Sequence, residues 1–290
     1  GLAGKPLYKA GNEEQRQRFV APVARGEKLS CFGLTEAGAG SDATAIVTSA
    51  SRREGGYVLN GNKLFITNGN EADVAVVFAT LDKSLRHKGI TAFILEKGTP
   101  GFSVGKLEHK MGIRASSTAE LVFEDCFVPE ENRLGAEGEG FKIAIESIDS
   151  SRLSVAAQAI GIAQGAFDKA LAYAKERQQF GQPIINHQAI QWMLADMATQ
   201  IDAARLLNNR AASLEQDGLP FVKESCMAKL SAAEAAMFVT DKAVQIYGGY
   251  GYIKEYPIER YFRDARICAI YEGTDEMQRM TIARHLIRET

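Results

Sequence analysis

At 290 residues, 46% hydrophobic and 24% charged, the chain can bury a sizeable core and has room for two domains. That balance excludes a disordered chain, and a net charge of −2 leaves no basic field for holding nucleic acid. No apolar run approaches ~18 residues and no signal-peptide pattern follows Gly1, so a soluble chain without a membrane partner is expected. Cys31, Cys126, Cys226 and Cys268 are far apart with no C-x-x-C, which reads as free thiols in a reducing compartment, cytoplasm or mitochondrial matrix. His87, His109, His187 and His285 lack ligand spacing, and no metal site is expected.

Residues 1–27 read as helical fragments: Asn12 opens a short helix, and the region of Pro22 and Gly26 closes it. From Lys28 to Leu134 alternation replaces the helical period. Tyr57-Val58-Leu59 and Lys63-Leu64-Phe65-Ile66 flank Asn60-Gly61, a two-residue hairpin signal. Further strands are predicted over 74–79, 91–95, 102–107 and 119–123, which argues for a small antiparallel barrel or sandwich. A glycine-rich hinge, Gly135 to Gly140, precedes helices predicted over 141–177, 187–216, 221–247, 258–269 and 275–288. Their short connections imply an antiparallel bundle. The domain reading is therefore 1–27, 28–134 and 135–290.

Chemistry concentrates near the end. In Tyr271-Glu272-Gly273-Thr274 a carboxylate sits on a glycine-containing turn after the apolar run Ile267-Cys268-Ala269-Ile270. Thr274 can cap the next helix, with Asp275 and Glu276 in its dipole-favoured first turn. Glu272 reads either as a base or as a solvated residue near a helix start. Gln245-Ile246-Tyr247-Gly248-Gly249 marks a second punctuated helix end, which a plain C-cap also explains. Gly38-Ala39-Gly40-Ser41 lacks the third glycine of a dinucleotide fingerprint and reads as a turn. Asp149 and Arg152, at i and i+3, share a helix face and read alone as a surface ion pair.

Four segments stand out: Ile270-Tyr271-Glu272-Gly273-Thr274, Gln245-Ile246-Tyr247-Gly248-Gly249, Glu176-Arg177-Gln178-Gln179-Phe180-Gly181, and Leu34-Thr35-Glu36-Ala37-Gly38-Ala39-Gly40-Ser41-Asp42. Together, collinear from about Gly11 onward, they resemble the acyl-CoA dehydrogenases, most of all the short-chain (butyryl-CoA) branch. The resemblance implies an N-terminal helical domain, a central β domain and a C-terminal four-helix bundle. It further implies that this chain starts near the end of the first, shorter by roughly 100 residues.

The implied activity is FAD-dependent dehydrogenation of a short-chain acyl-CoA to trans-2-enoyl-CoA, a step of fatty acid β-oxidation. Electrons would pass to an electron-transfer flavoprotein, within a homotetramer of dimers that share flavin sites. Glu272 matches the family's catalytic base; some relatives place it at the position of Ser151, which cannot serve. The implied FAD contacts are Phe32, Leu34, Thr35, Gly40 and Ser41, then Phe65, Ile66 and Thr67. Arg177, Gln179, Phe180, Gln188, Gln245 and Gly249 match positions reaching a neighbouring subunit's FAD, and Thr274 and Glu276 follow the base. Ser41, Asp149, Arg152, Tyr271, Gly273 and Arg284 match positions near the acyl-CoA. The Glu272 amide and a flavin hydroxyl would hold the thioester oxygen. An acyl-CoA oxidase or nitroalkane oxidase type of flavoenzyme, or a truncated, flavin-poor assembly chain, are the rival expectations.

Overall fold

The computed structural model describes residues 2–288, so the outermost residues of the first and last predicted segments lie outside it. Contacts divide the chain into two units. One runs up to Lys110 and takes in Arg114–Ile148; the other combines Met111–Ile113 with the chain from Asp149 onward.

The first unit opens on short helices, α1 (Gly4–Ala10), α2 (Glu13–Gln15) and α3 (Ala21–Ala24), with a π-helical stretch at Arg16–Val20. Asn12 starts α2 as expected. Its Oδ1 accepts from the Gln15 amide at 2.8 Å, while Gln15 Oε1 accepts from the Asn12 amide at 3.1 Å, a capping box. The run ends at Ala24, within the region of Pro22 and Gly26 as expected. Pro22 itself lies in α3, which continues the π-helical stretch without a break, and Gly26, at φ +74°, follows the last turn.

Eight strands then form one sheet: β1 (Ser30–Gly33), β2 (Ser49–Arg53), β3 (Gly56–Thr67), β4 (Val74–Thr80), β5 (Ile90–Glu96), β6 (Phe102–Leu107), β7 (Thr118–Pro129) and β8 (Arg133–Leu134). The order is β6-β7-β3-β2-β4-β5-β8, with β1 also on β4. The barrel expectation is corrected: β6 and β8 end the path unpaired with each other, so the sheet is open. Nor is it antiparallel throughout, because β1 and β2 both run parallel to β4. β5 takes one edge of β4, so β1 and β2 occupy successive stretches of the other. Only a long connection, here residues 34–48, lets two consecutive strands enter in one direction.

β4 is buried on both faces, as its unbroken apolar run requires. Val74, Val76 and Phe78 pack with Leu7, Phe19 and Ile94; Ala75, Val77 and Ala79 pack with Tyr57, Leu59, Phe93, Leu121 and Phe123. The second cluster draws on β3 and β7 as well as β4 and β5, so the sheet curls over it in sandwich fashion without closing. The hairpin at Asn60-Gly61 is also corrected. β3 passes straight through it with a bulge, Gly61 at φ +136°. A Cβ there would lie 2.8 Å from the Thr48 Cα. The turn from β2 to β3 falls at Glu54-Gly55, with Gly55 at φ +77°.

The second unit holds most of α4 (Gly140–Glu176), then α5 (Gln188–Gln216), α6 (Val222–Tyr247), α7 (Ile258–Ala265) and α8 (Asp275–Arg288). The long helices fall where the periodicity predicts them. Their core is rich in alanine: Ala156, Ala159, Ala163, Ala166 and Ala170 of α4 share one cluster with Ala228, Ala232, Ala236 and Ala243 of α6 and Met197 and Ile201 of α5. Spacings of three and four put each set on one helix face, and small side chains let the axes approach. A large residue at Ala163, fully buried, would overpack this seam at a cost of about 1–3 kcal/mol. Between α4 and α5, β9 (Gln178–Gln179) pairs with β10 (Gln182–Pro183) around Phe180 and Gly181, at φ +52° and +78°. At the end of α5 the Leu219 amide bonds the Leu214 carbonyl at 2.9 Å, and Gly218 takes φ +69°. Among the described residues no helix is long and apolar enough to cross a membrane.

Candidate active site

A 3₁₀ turn, Arg266–Ala269, buries Cys268 and delivers the chain to Tyr271-Glu272-Gly273-Thr274. Glu272 and Gly273 then adopt left-handed backbone, φ +56° and +88°. For a glutamate this costs about 1–2 kcal/mol, so the surroundings must hold it. Two buried side chains do so. Lys229 on α6 donates Nζ to the Gly273 carbonyl and to Asp275 Oδ1, both at 3.0 Å. Gln278 on α8 donates Nε2 to the Glu272 carbonyl at 3.2 Å and the Gly273 carbonyl at 2.8 Å. Thr274 caps α8 as expected: its carbonyl accepts from the Gln278 amide at 3.0 Å, and its Oγ1 from the Met277 amide at 3.4 Å.

The half-buried Glu272 carboxylate accepts a short hydrogen bond from the Ser151 hydroxyl on α4. Burial pushes its pKa above the usual carboxylate range, outweighing the Ser151 hydrogen bond and the charges of Arg152 and Lys229. A desolvated carboxylate aimed from a rigid turn is a better base than a solvated one. Among the described residues its backbone amide donates to no protein acceptor. Tyr271 OH donates to Gln158 Oε1 at 2.6 Å, and burial pushes this phenol up. Asp149 and Arg152 are paired but do not form the surface pair that their spacing alone suggests. Their side chains are only 15% and 10% exposed, Arg152 Nη1 also reaches Cys226 Sγ at 3.4 Å, and Arg152 Nε is buried without a partner.

Also in this unit, Arg177, Gln179, Phe180, Gln245 and Gly249 line one cavity of about 840 Å³. Tyr173, Tyr247 and Tyr250 supply its aromatic wall. Tyr173 and Tyr247 stack at 4.0 Å, and the Arg177 guanidinium lies 5.4 Å from the centre of the Tyr250 ring. The hairpin leaves Phe180 93% exposed. Gln188 is exposed at the start of α5, next to His187, which does line the cavity. Glu276 and Arg284 are exposed on α8, Arg284 about two and a half turns beyond Asp275.

In the first unit the two predicted segments meet. The Leu64 amide donates to the Thr35 carbonyl at 2.8 Å, and Lys63 Nζ donates to the Leu34 carbonyl at 3.2 Å and Glu36 Oε1 at 2.6 Å. Glu36 in turn accepts from the Val47 and Thr48 amides at 2.6 and 3.0 Å. Leu34 and Ile66 are buried in apolar clusters, while Phe32 and Thr35 are half-buried and Gly40, Ser41 and Thr67 are exposed. Phe65, at φ +58° beside a register shift in β3, is 63% exposed. A Cβ added to Gly38 or Gly40 would meet nothing within 4 Å.

The motifs give Lys229, Gln278, Lys63 and Glu36 no role, although Glu36 stands inside one of them. Lys229 alone carries a local signal, a charge between Cys226, Ala228, Ala232 and Ala233 on a helix.

Two family models match: acyl-CoA dehydrogenase, middle domain, over residues 31–126, and acyl-CoA dehydrogenase, C-terminal domain, over residues 138–287. The chain belongs to the acyl-CoA dehydrogenase family and is an oxidoreductase of that kind, as its motifs led one to expect. It is 54% identical over 287 residues to the short-chain specific acyl-CoA dehydrogenase of Clostridium acetobutylicum, covering 99% of this chain and 76% of the relative. The solved butyryl-CoA dehydrogenase of Megasphaera elsdenii superposes at TM-score 0.97 with 52% identity, over 99% of this chain and 75% of that one. A chain in a solved structure described as the electron transferring flavoprotein of Acidaminococcus fermentans matches at TM-score 0.97 and 56% identity, over 98% and 75%.

Proposed function

We propose that this chain dehydrogenates a short-chain acyl-CoA to the trans-2-enoyl-CoA with FAD, its electrons leaving through an electron-transfer flavoprotein. The observation that carries the reading is Glu272: a carboxylate made more basic by burial, on a left-handed turn held by Lys229 and Gln278. Glu272 takes the α proton of the thioester. Its own amide, without a protein acceptor among the described residues, is the donor for the thioester oxygen as charge develops there. Asp149, Arg152, Tyr271 and Gly273 orient the acyl-CoA, and Arg152 Nε, without a partner among the described residues, suits a polar group of that ligand; Ser41 is the first unit's own candidate for contacting it. Arg284 extends this set toward the CoA moiety.

The residues present fit FAD. An exposed aromatic ring at Phe65, the open glycine loop at Gly38 and Gly40, and an arginine- and tyrosine-lined cavity are the surfaces a flavin dinucleotide needs. Phe32, Leu34, Thr35, Gly40, Ser41, Phe65, Ile66 and Thr67 are the first unit's candidates for contacting it; Thr274 and Glu276 are the second unit's own candidates. Arg177, Gln179, Phe180, Gln188, Gln245 and Gly249 serve the FAD of a second copy, which makes the working assembly an oligomer, a tetramer by family likeness. Bound there, FAD supplies the acceptor for the β hydride.

The test is the visible spectrum of the FAD-loaded chain when butyryl-CoA is added without oxygen. Bleaching is expected, slowed about 10²–10⁴-fold in Glu272→Gln. Undiminished bleaching in that variant would remove Glu272 from its role. Oxygen consumption during turnover would favour an oxidase instead.

A further inference from the structure

Lys229 lies about two turns into α6 with no exposed side-chain surface, on the face that also carries Ser225, Ala232, Ala233 and Ala236. A cation in that position needs partners. It has two, the Asp275 carboxylate and the Gly273 carbonyl. Asp275 alone does not call for a buried lysine. It is 14% exposed in the first turn of α8, where the helix dipole already favours a carboxylate. The bond to Gly273 is the informative one. That carbonyl also receives Gln278, whose second bond goes to the Glu272 carbonyl. Two donors from two helices thus converge on the peptide units of the two left-handed residues.

We propose that Lys229 is the positioning residue for the base. Its hold on the Gly273 carbonyl keeps the Glu272-Gly273 turn left-handed and so keeps the Glu272 carboxylate at Ser151. This rests on Glu272 being the base. The groups that face Glu272 are Ser151 and Arg152 from α4, Lys229 from α6, and Tyr271 from its own turn. Arg152 and Lys229 both favour its charged form. Loss of Lys229 therefore moves the acid limb of kcat/KM to higher pH, which a purely structural role would leave in place.

The experiment uses the FAD-loaded chain with Lys229→Met, Lys229→Gln and Asp275→Asn. It reads kcat and KM with butyryl-CoA, the pH profile, FAD content, and amide hydrogen exchange over residues 270–278. In Lys229→Met we expect kcat to fall about 10–100-fold with KM changed little, since a misplacement of about 1 Å is enough for that. Exchange over 270–278 accelerates, the acid limb moves up, and FAD content stays at the parent level. Lys229→Gln keeps an N–H donor without the charge. It recovers part of kcat and of the exchange protection but keeps the shifted limb. Should Lys229→Met fail to fold, Lys229→Gln and Asp275→Asn carry the test, the latter keeping the lysine but loosening its anchor. Parent-like exchange and parent-like kcat in a folded Lys229 variant would overturn the proposal. Hydrogen exchange judges the hold on the turn even if Glu272→Gln still bleaches flavin, so the two readings fail separately.

Discussion

Each unit contains a lysine with no exposed side-chain surface, and the two are used differently. Lys63 in β3 pairs with Glu36, whose side chain is only 4% exposed, and donates to the Leu34 carbonyl. Lys229 in α6 pairs with Asp275, 14% exposed, and donates to the Gly273 carbonyl. The parts match: a buried ammonium, a carboxylate and one backbone carbonyl. At Lys63 both charges are enclosed, and the carboxylate is further fixed by the Val47 and Thr48 amides. That pair braces the long 34–48 connection against β3. At Lys229 only the cation is enclosed, and what it secures is the left-handed turn that carries Glu272, the proposed base. A buried ion pair can thus brace a connection or hold a turn, and the backbone carbonyl that the lysine also reaches tells which.

The most damaging way to break the comparison is Lys63→Met. It leaves Glu36 buried and unpaired, a loss of about 3–5 kcal/mol in denaturant unfolding, and adding Glu36→Leu recovers much of it. A loss well under 1 kcal/mol would mean that the pair braces nothing. Gly273→Ala comes next. The residue is at φ +88°, and a Cβ would sit 2.9 Å from Gln278 Nε2, so stability falls by about 1–2 kcal/mol. Turnover falls with it if the turn serves the base, whereas Gly55→Ala, at φ +77° with open space around it, costs a similar backbone strain and leaves turnover alone. Thr274→Ala removes a long cap bond and costs about 1 kcal/mol of thermal stability at most.

The smallest effects are in the pH dependence of stability. Burial pushes Lys63 from its ordinary 10.5 down to about 8, against the pull of Glu36. The unfolded chain then binds more protons between those values, so stability from this group rises with pH across that window, and Lys63→Met abolishes the rise. Burial pushes Glu36 up, but Lys63, Thr48 and Val47 outweigh it and hold it below 4.5. Its contribution is complete above that value and is lost as pH falls through the lower, folded pKa. Glu272 has the opposite sign. Its folded pKa is raised, so the folded chain is penalised once pH climbs through it. Glu272→Gln should therefore unfold at a higher temperature than the parent at pH 8, with the difference vanishing in acid. Equal midpoints at both pH values would argue against a desolvated carboxylate.

Features set by a few neighbouring residues were legible before any coordinates. The helix start at Asn12, the Thr274 cap and the long helices all follow from dihedral preference, short-range hydrogen bonds and apolar period. So do the motifs that carry the family. The fold decided what depends on partners far along the chain. Asn60-Gly61 and Glu54-Gly55 both offer a glycine for a turn, and only the pairing of β3 with β7 made the first a bulge and left the turn to the second. The open sheet and the parallel run of β1 and β2 beside β4 depend in the same way on which edges were already taken. Lys63 reaches across 27 residues to Glu36, and Lys229 across 46 to Asp275. Such pairs have no local pattern, because a charge becomes worth burying only when packing removes its water and supplies its counter-charge together.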